Sequence, residues 1–484
     1  MRPLLLLLIS SAIASAHVGS PDVFYEGNAG PYRLLVTIRP PLVIPGVAEV
    51  EVRSTSNDVR EVRVVPLPLQ GPGAKFAPTP DIAQRSKDDP QFYTGSLWMM
   101  AFGSWQVRVR AEGAQGSGEM SVPVPALAMR TLTMQKGLGA GLFGLMVFLV
   151  VGIVSIVGAG VREAQLEPGV EPAVRNRRRA MIVMAITLVL MCGAVYLGNK
   201  WWQSEADTYA QRIYKPLNMS ATVDPGGRLV LHLQDSGFIL RFNKMSDLLP
   251  DHGHLMHMYV ISTPSMDRVW HLHPDQTEPG TFQMNLPAMP AGRYRLFADI
   301  VHANGIPETG TAEIEIPQIA PGAPPGTDDA AGAGTQVAQA DFNRTVSPLT
   351  DGYRMVWVRG TEPLKAKRAE LFRFRVEDAN GKPAGDMEFY MGMPGHAAFV
   401  RDDFQVFAHV HPSGSAPMAA VAIAQAQVGG GDASMQGMHA MHSMGLPAEV
   451  SFPYGFPQSG NYRIFVQVKR AGRVETGIFD ARVE

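Results

Sequence analysis

Hydrophobic and polar residues alternate with a period of two along much of this chain. In the N-terminal part, residues 33–38 (RLLVTI), 48–53 (AEVEVR) and 105–110 (WQVRVR) follow this pattern, and Pro and Gly turns separate them. A period of two places the apolar side chains on one face of a strand. The pattern predicts a mainly β protein that begins with a β-sandwich domain over residues 17–133.

Two stretches interrupt this alternation with unbroken apolar sequence. Residues 137–161 and 180–197 carry no charged side chain, and about 20 apolar residues at 1.5 Å each span the hydrocarbon core of a bilayer. We therefore predict transmembrane helices over 137–161 and 180–200. The connecting residues, 162–179, hold five arginines, so the positive-inside rule predicts a cytoplasmic loop there. Both large flanking regions then lie in the periplasm or outside the cell, on a protein of the cytoplasmic (inner) membrane.

The first residues have the pattern of an export signal. Arg2 precedes an apolar run, and residues 14–16 (ASA) have the small-x-small form that signal peptidases cut. We predict a signal peptide over 1–16, which would leave His17 as the first residue; a short N-terminal anchor is the alternative. The single cysteine, Cys192, lies in the second apolar stretch, so no intrachain disulfide is expected.

The sequence after the apolar stretches contains two similar β units. Residues 292–297 (GRYRLF) and 460–465 (GNYRIF) occupy corresponding places near the ends of the units 209–317 and 347–484. Between them, residues 318–346 are rich in Pro, Gly and Ala, which is typical of a flexible linker. We therefore expect three extracytoplasmic sandwich domains, Ig-like or cupredoxin-like, of which the last two are copies of one unit.

Each copy carries an unusual histidine pattern. The first copy has HGHLMH from His252 and HLHP from His271, and the second has MGMPGH from Met391 and HVHP from His409. If each copy forms an antiparallel hairpin, with turns near residues 265 and 403, the histidine that begins its first strand lies opposite the histidine that ends its second strand. Such cross-strand neighbours have Cβ atoms roughly 4.5–5.5 Å apart, close enough for their imidazoles to share one metal ion.

The pattern predicts one three-histidine metal site in each copy. The predicted ligands are His257, His271 and His273 in the first copy and His396, His409 and His411 in the second. A polar hairpin stabilised by His–Tyr contacts is the alternative for both. The remaining nearby histidines are candidates for an extra ligand or for a hydrogen bond to a ligand: His252, His254 and His302.

The difference between the copies bears on the metal. In an alignment without gaps, Met391 and Met393 replace His252 and His254. Imidazole suits Zn(II) or Cu(II), whereas a thioether selects Cu(I). Copper therefore fits both copies, and zinc remains an alternative at the histidine-only copy. The two methionines have an alternative role as packing residues of the sandwich core.

Two further parts of the chain are candidates for copper binding. Residues 429–445 form a Gly- and Ser-containing insertion whose candidate ligands are Met435, Met438, His439, Met441, His442 and Met444; low complexity is the alternative explanation. These residues resemble the methionine-histidine clusters of periplasmic copper proteins. His17, once exposed as a mature N-terminus, would chelate copper through its amine and ring, as in CopC proteins, although no other histidine precedes His232.

These residues carry resemblances to known families. The N-terminal region, which closes with residues 102–110 (FGSWQVRVR), resembles the YtkA-like and FixH-like extracytoplasmic β-sandwich group, and its N-terminal histidine resembles CopC. The two later units are similar to periplasmic copper-binding modules with HxHP strands. The resemblance implies a role in copper tolerance or in copper supply to a membrane enzyme.

Three classes of function follow from these patterns. The leading one is a membrane-anchored copper-binding protein that sequesters copper or passes it to a membrane copper enzyme or transporter. A scaffold of sandwich domains without metal is the second. The third, a copper oxidoreductase, is disfavoured because there is no cysteine for a blue-copper site, so we expect no enzyme. The net charge of −2 gives no basis for nucleic-acid binding.

Overall fold

The computed structural model describes residues 21–167, 169–238, 245–428 and 446–484. The predicted signal peptide, His17 and the methionine-histidine cluster of residues 435–444 lie outside the described residues. The chain forms two compact units, one of residues 1–127 with 214–484 and one of residues 128–213. The first unit is mainly β and the second is helical.

The N-terminal domain is a sandwich of two antiparallel sheets, as predicted. One sheet has the strand order β1-β2-β3-β7-β6 and the other has the order β5-β4-β8-β9. In β3, the residues Ala48, Val50 and Val52 are buried while the residues between them are exposed or half-buried. The strands are β1 (Val23–Ala29), β2 (Tyr32–Arg39), β3 (Gly46–Ser54), β4 (Val59–Pro68), β5 (Asp81–Ile82), β6 (Gln84–Arg85), β7 (Phe92–Met99), β8 (Gly103–Gly113) and β9 (Gly116–Ala126).

The helical unit consists of two long helices, α1 (Lys136–Glu163) and α2 (Val174–Gln211). Their most apolar windows are 0% and 6% buried within the protein, so the apolar surface is free to face lipid, and both helices are long enough to cross a membrane. α2 begins six residues before the predicted span, so the arginines at 175 and 177–179 lie in its first turns rather than in a loop. It also continues past residue 200, because residues 201–211 contain neither Pro nor Gly.

The second module, residues 214–317, is built on one sheet. Its strand order is β15-β16-β11-β10-β18-β17-β13-β14, and β12 pairs with β17. Leu231 and Phe282 on one side pack against Val260 and Leu296 on the other in a single core. The strands are β10 (Asn218–Val223), β11 (Arg228–Gln234), β12 (Leu248–Leu249), β13 (His257–Ser262), β14 (Arg268–Leu272), β15 (Asp275–Glu278), β16 (Thr281–Asn285), β17 (Gly292–His302) and β18 (Pro307–Ile316).

The linker between the modules differs from our prediction, because part of it is a strand. β19 (Ala330–Ala333) pairs with β14 and extends the sheet of the second module. A Cβ added to Gly332 would lie 2.7 Å from Thr476. The small side chains that suggested flexibility are therefore required where the segment packs closely against the third module.

The third module, residues 346–484, is a sandwich with an aromatic core that includes Trp357, Phe374 and Phe399. One sheet has the order β20-β21-β22-β26, and the other has the order β23-β27-β24-β25 with β28 beside β27. Its elements are β20 (Val346–Pro348), β21 (Arg354–Val358), β22 (Glu370–Glu377), β23 (Met387–Glu388), β24 (His396–Arg401), β25 (Phe407–Val410), α3 (Met418–Ala426), β26 (Glu449–Tyr454), β27 (Gly460–Arg470) and β28 (Arg473–Val483).

The second and third modules share a hydrophobic core. Tyr259, Ile261 and Phe297 of the second module pack against residues such as Phe407 and Phe465 of the third. The rings of Phe297 and Phe407 are stacked with centroids 4.3 Å apart. All six residues of β13 are buried, since alternate side chains enter the module's own core and the shared core. The histidine strands of the two modules are therefore held face to face.

Candidate metal centre

Two tight turns of the same geometry precede the histidine strands. The turns Asp251–His254 and Tyr390–Met393 are each closed by two backbone hydrogen bonds of 2.7–3.1 Å. At the two central positions φ is positive, +50° and +89° in the first turn and +51° and +76° in the second. This is the type I′ pattern, which favours the glycine found third in each turn. The alignment of His252 with Met391 therefore holds in the backbone.

The two histidine hairpins have the predicted register. In the second module Tyr259 pairs with His271, which places His257 beside His273. In the third module Ala397 pairs with Val410, which places the residues on either side, His396 and His411, opposite each other. The period of two along both HxH strands thus brings the expected side chains together.

The structure also joins the two predicted sites into one cluster. Neighbouring rings in this cluster have centroids 4.1–6.1 Å apart. Five of its histidines come from the second module and three from the third. The members of this histidine cluster are His252, His254, His257, His271, His273, His396, His409 and His411. Sequence analysis did not predict that the two sites would meet.

The first trio within the cluster is His257, His271 and His273, whose candidate ligand atoms lie within 4.8 Å of one another. The three ring centroids are 4.6–5.4 Å apart. Three imidazoles bound to one tetrahedral ion at about 2.0–2.1 Å have ring centroids roughly 5 Å apart. The first trio therefore has the spacing of a three-histidine metal site.

His257 presents a free lone pair to this trio. Its Nε2 lies 2.9 Å from the carbonyl oxygen of Asp251. A carbonyl oxygen only accepts hydrogen bonds, so Nε2 carries the hydrogen and Nδ1 keeps its lone pair.

His271 presents its Nε2 in the same way. Its Nδ1 lies 2.9 Å from Oε1 of Gln467 and 3.2 Å from the hydroxyl of Tyr390. Tyr390 donates its own hydrogen to the carbonyl oxygen of Asp328 at 2.8 Å, so the tyrosine oxygen accepts from His271. The lone pair on Nε2 of His271 therefore faces Nδ1 of His257, 3.2 Å away.

His273 supplies the third lone pair. Its Nδ1 lies 3.2 Å from Oδ1 of Asp329, and its Nε2 is buried with no hydrogen-bond partner among the described residues. Burial, and then the neighbouring histidines, hold the pKa of His257 and of His271 well below the ordinary value, so these rings are neutral. Three lone pairs thus converge without a hydrogen between them, and metal-ligating histidines are oriented by outward hydrogen bonds of this kind.

The second trio crosses the boundary between the modules. It consists of His252 from the second module with His396 and His411 from the third. Its ring centroids are 4.9–5.1 Å apart. We predicted His409 rather than His252 in this set. The difference arises because the turn carrying His252 reaches the third module across the shared interface.

His409 lies between the two trios. Its Nδ1 is 3.4 Å from Oδ2 of Asp299, and its Nε2 is buried without a hydrogen-bond partner in the described part of the chain. Its ring centroid lies 5.3 Å from that of His257 and 4.6 Å from that of His411.

Two of the additional candidate histidines have hydrogen-bonding roles. His254 stacks on His273 with centroids 4.1 Å apart, and its Nε2 lies 3.1 Å from Asp328. His302 is buried between Asp247 and Glu308, each 2.9 Å from one ring nitrogen. Both nitrogens of His302 are therefore engaged by carboxylates in this structure, which places it among hydrogen-bonding residues rather than among the clustered histidines.

The two candidate methionines are buried near the trios. Met391 packs with Tyr390 and Ala330 in a small apolar cluster, and Met393 is 7% exposed. This packing agrees with the alternative role that we gave both methionines.

The residues that orient the histidines were missed by sequence analysis. Asp299 pairs with His257 across the sheet of the second module, and Gln467 pairs with His396 in the third. Both lie seven residues after the glycine that begins the repeated strand. A polar side chain at this shared position is the signal that would have identified them.

The chain was compared with known proteins. No curated protein sequence matches the chain. Among solved structures, a tetra-tandem repeat from the extending region of a large adhesion protein is 9% identical, with 90% of this chain and 70% of that chain covered and a TM-score of 0.15. A Salmonella alpha-2-macroglobulin reacted with methylamine is 9% identical, with 99% and 24% covered and a TM-score of 0.20. Dimeric latent PorU from Porphyromonas gingivalis is 8% identical, with 96% and 34% covered and a TM-score of 0.15. This chain thus spans about a quarter of the macroglobulin and a third of PorU.

One protein family matches the region that contains the histidine cluster. The family model of a domain of unknown function, DUF8832, matches residues 215–317 and 346–484, which together make up half of the chain. All eight clustered histidines lie within these ranges. The chain belongs to the DUF8832 family.

Proposed function

We propose that this protein is a membrane-anchored, extracytoplasmic metal-binding protein and that its metal is copper. The observation that carries this proposal is the first trio, in which three buried lone pairs face one another. Each outward nitrogen of His257, His271 and His273 is engaged by an oxygen atom. The inward nitrogens are left for a cation.

The energetics of burial support a bound cation. A buried polar group without a hydrogen-bond partner destabilises a fold by about 1–3 kcal/mol. In the first trio Nε2 of His273 has no partner among the described residues, and the inward nitrogens of His257 and His271 face only each other, 3.2 Å apart. A metal ion satisfies all three at once, and neutral imidazoles need no deprotonation before they bind it.

The ligand type favours copper. Imidazole nitrogen binds both Cu(II) and Zn(II), and Cu(II) is the stronger binder of the two in the Irving–Williams order. The resemblance to CopC-like and HxHP copper modules and the methionine-histidine cluster in the sequence agree with this choice. Zinc is the competing metal.

The helical unit supports the proposed location. Two helices of 28 and 38 residues are long enough to cross a bilayer, and arginines lie at the start of α2. With that end in the cytoplasm, the histidine cluster lies outside it. A protein so placed would sequester copper or deliver it to a membrane copper enzyme or transporter, without catalysing a reaction itself.

The proposal is tested by metal titration of the full chain in detergent, without a polyhistidine tag. After treatment with a chelator, the protein is titrated with Cu(II), with Cu(I) under reductant and with Zn(II), each against a competing chromophoric ligand. We expect copper to bind more tightly than micromolar and more tightly than zinc. Binding weaker than micromolar for every ion would refute the metal-binding function, and a preference for zinc would refute the choice of copper.

A matched pair of variants links the binding to the first trio. Removing the carboxylate that orients a ligand typically lowers metal affinity by about 10–100-fold. We therefore expect this loss in Asp329→Ala, because Asp329 orients His273. Asp275→Ala, which removes an exposed carboxylate of β15 in the same module, should bind copper as the wild type does. Equal affinities for the two variants would mean that the first trio is not the binding site.

A further inference from the structure

We infer that the metal centre is dinuclear: a second ion binds the second trio, His252, His396 and His411, and so ties the two modules together. This inference rests on the proposed function, because it takes the first trio as the site of one ion. It assigns the second trio its own ion of the same class, held by imidazole nitrogen alone.

The unpaired nitrogens of the second trio support a second ion. Both ring nitrogens of His396 and of His411, and Nε2 of His252, are buried without a hydrogen-bond partner among the described residues. His396 is 0% exposed and His411 is 3% exposed. In the first trio a hydrogen bond satisfies one nitrogen of each ring, whereas His396 has none and His411 has only a looser interaction with the backbone of Ala416. A cation is the simplest group that would satisfy an inward nitrogen from all three rings.

The geometry of the second trio fits one ion as well as that of the first. Its three ring centroids form a nearly equilateral triangle with sides of 4.9, 5.1 and 5.1 Å. This agrees with the roughly 5 Å expected for three imidazoles around a tetrahedral ion with bonds of about 2.0–2.1 Å. Hence the ring spacing of both trios is compatible with one bound ion each.

The two modules orient each other's histidines reciprocally. Gln467 of the third module engages Nδ1 of His271 in the second, and Asp299 of the second faces Nδ1 of His409 in the third. This exchange follows an approximate two-fold relation, as between the subunits of a symmetric dimer. The docked pair of modules therefore supplies histidines from both sides of the interface, and the second trio draws on both.

His409 connects the two sites. Asp299 engages its Nδ1, and its unpaired Nε2 is buried within the cluster. Its ring centroid lies 5.4 Å from that of His271 in the first trio and 5.5 Å from that of His396 in the second. His409 is thus placed to serve as an additional ligand for either ion.

The second ion has a structural consequence that the first lacks. All three ligands of the first trio belong to the second module, whereas the second trio takes ligands from both. An ion that binds only the docked modules stabilises their docking by mass action. The turn Asp251–His254 should therefore become more protected from hydrogen exchange when the second ion binds.

The experiment measures stoichiometry and spin coupling in the full chain. We expect two tightly bound Cu(II) ions per chain, with the magnetic coupling and half-field resonance of a close pair in electron paramagnetic resonance spectra. His252→Ala and, separately, His273→Ala should each retain one ion and give an uncoupled Cu(II) spectrum. His252 lies half-buried in a turn, so its variant is expected to fold, which circular dichroism checks.

Matched controls separate the outcomes. His232→Ala, which removes an exposed histidine bonded to Thr281, should retain both coupled ions. One ion in the wild type would overturn the dinuclear inference and leave the proposed function standing, whereas no ion would refute both. Two uncoupled ions, or a second ion that survives His252→Ala unchanged, would place that ion outside the second trio and also overturn the inference.

Discussion

Single acceptor residues decide how the histidines of this protein are presented. Gln467 engages His271 through a neutral amide, whereas Asp299 lies at the corresponding position and faces His409 with a carboxylate. A carboxylate partner makes an imidazole a more basic ligand than an amide partner does. If the histidines bind metal as we propose, Gln467 and Asp299 make the ligands of the two modules differ in strength without being ligands themselves.

His302 provides a prediction about pH because it is held between two carboxylates. Burial alone would lower the pKa of His302, but the hydrogen bonds to Glu308 and Asp247 raise it above the ordinary 6.5. The folded state therefore binds this proton more tightly than the unfolded chain does. The resulting stabilisation is fully present below about pH 6.5 and is lost as the pH rises through the raised pKa of the folded state.

We expect His302→Gln to lower the local opening free energy of β17 by about 2 kcal/mol at pH 6, since hydrogen bonds to charged groups contribute roughly 1.5–3 kcal/mol. The loss should be smaller at pH 9. Hydrogen exchange of the β17 amides, corrected for the intrinsic rate at each pH, measures this loss of opening free energy. His232→Gln is the control at an exposed histidine. An equal loss at both pH values would show that His302 is not charged in the folded protein.

At the scale of elements, the histidine hairpins were predictable and the linker was not. Alternation along HLHP and HVHP determines which side chains share a face, so the register across each hairpin followed from local sequence. The composition of residues 318–346 has two physical explanations, a lack of packing or very close packing. β19 shows the second, because Gly332 and Gly334 lie against Thr476 and Ile478, residues that are remote in sequence.

Gly332 offers a test of this packing. Its added Cβ would lie 2.7 Å from two carbon atoms of Thr476, and such overpacking typically destabilises a protein by about 1–3 kcal/mol. We expect Gly332→Ala to displace β19, speed hydrogen exchange in β14 and weaken copper binding, because Asp329 precedes this strand. Gly385→Ala, where an added Cβ has no neighbour within 4 Å, is the matched control. If both variants exchange and bind copper as the wild type does, β19 does not support the first trio.

At the scale of the whole molecule, the histidine cluster depends on contacts that no local pattern contains. His271 and Gln467 are 196 residues apart in sequence, and their meeting requires the shared core of Phe297 and Phe407. Local alternation predicts two separate half-sites on two hairpins. Only the packing of one module on the other converts them into a single cluster, which is why the sequence did not predict that His252 lies beside His396 and His411.

The N-terminal domain also contacts the elements around the cluster, through α3. Gln425 of this helix donates to the carbonyl oxygen of Ser121 at 3.0 Å and to the hydroxyl of Tyr25 at 3.3 Å. At the other end of α3, the amide of Ala419 donates to Oδ1 of Asp251 at 3.0 Å. Since the carbonyl of Asp251 orients His257, the helix connects the N-terminal domain to a ligand of the first trio.

This connection predicts that a change at the contact between the N-terminal domain and α3 will alter the stability of the turn beside the histidine cluster. Gln425→Ala removes two hydrogen bonds of roughly 0.5–1.5 kcal/mol each, so amides of α3 and of the turn Asp251–His254 should exchange about tenfold faster. Exchange in β21, which lies in the sheet of the third module that does not carry the histidine strands, should not change. Gln91→Ala, which removes an exposed hydrogen bond to Asn57 within the N-terminal domain, is the control. Faster exchange in α3 without any change in the turn would mean that the domain docks on the helix but does not support the histidine cluster. Faster exchange in both would show that the N-terminal domain helps to hold His257 in place.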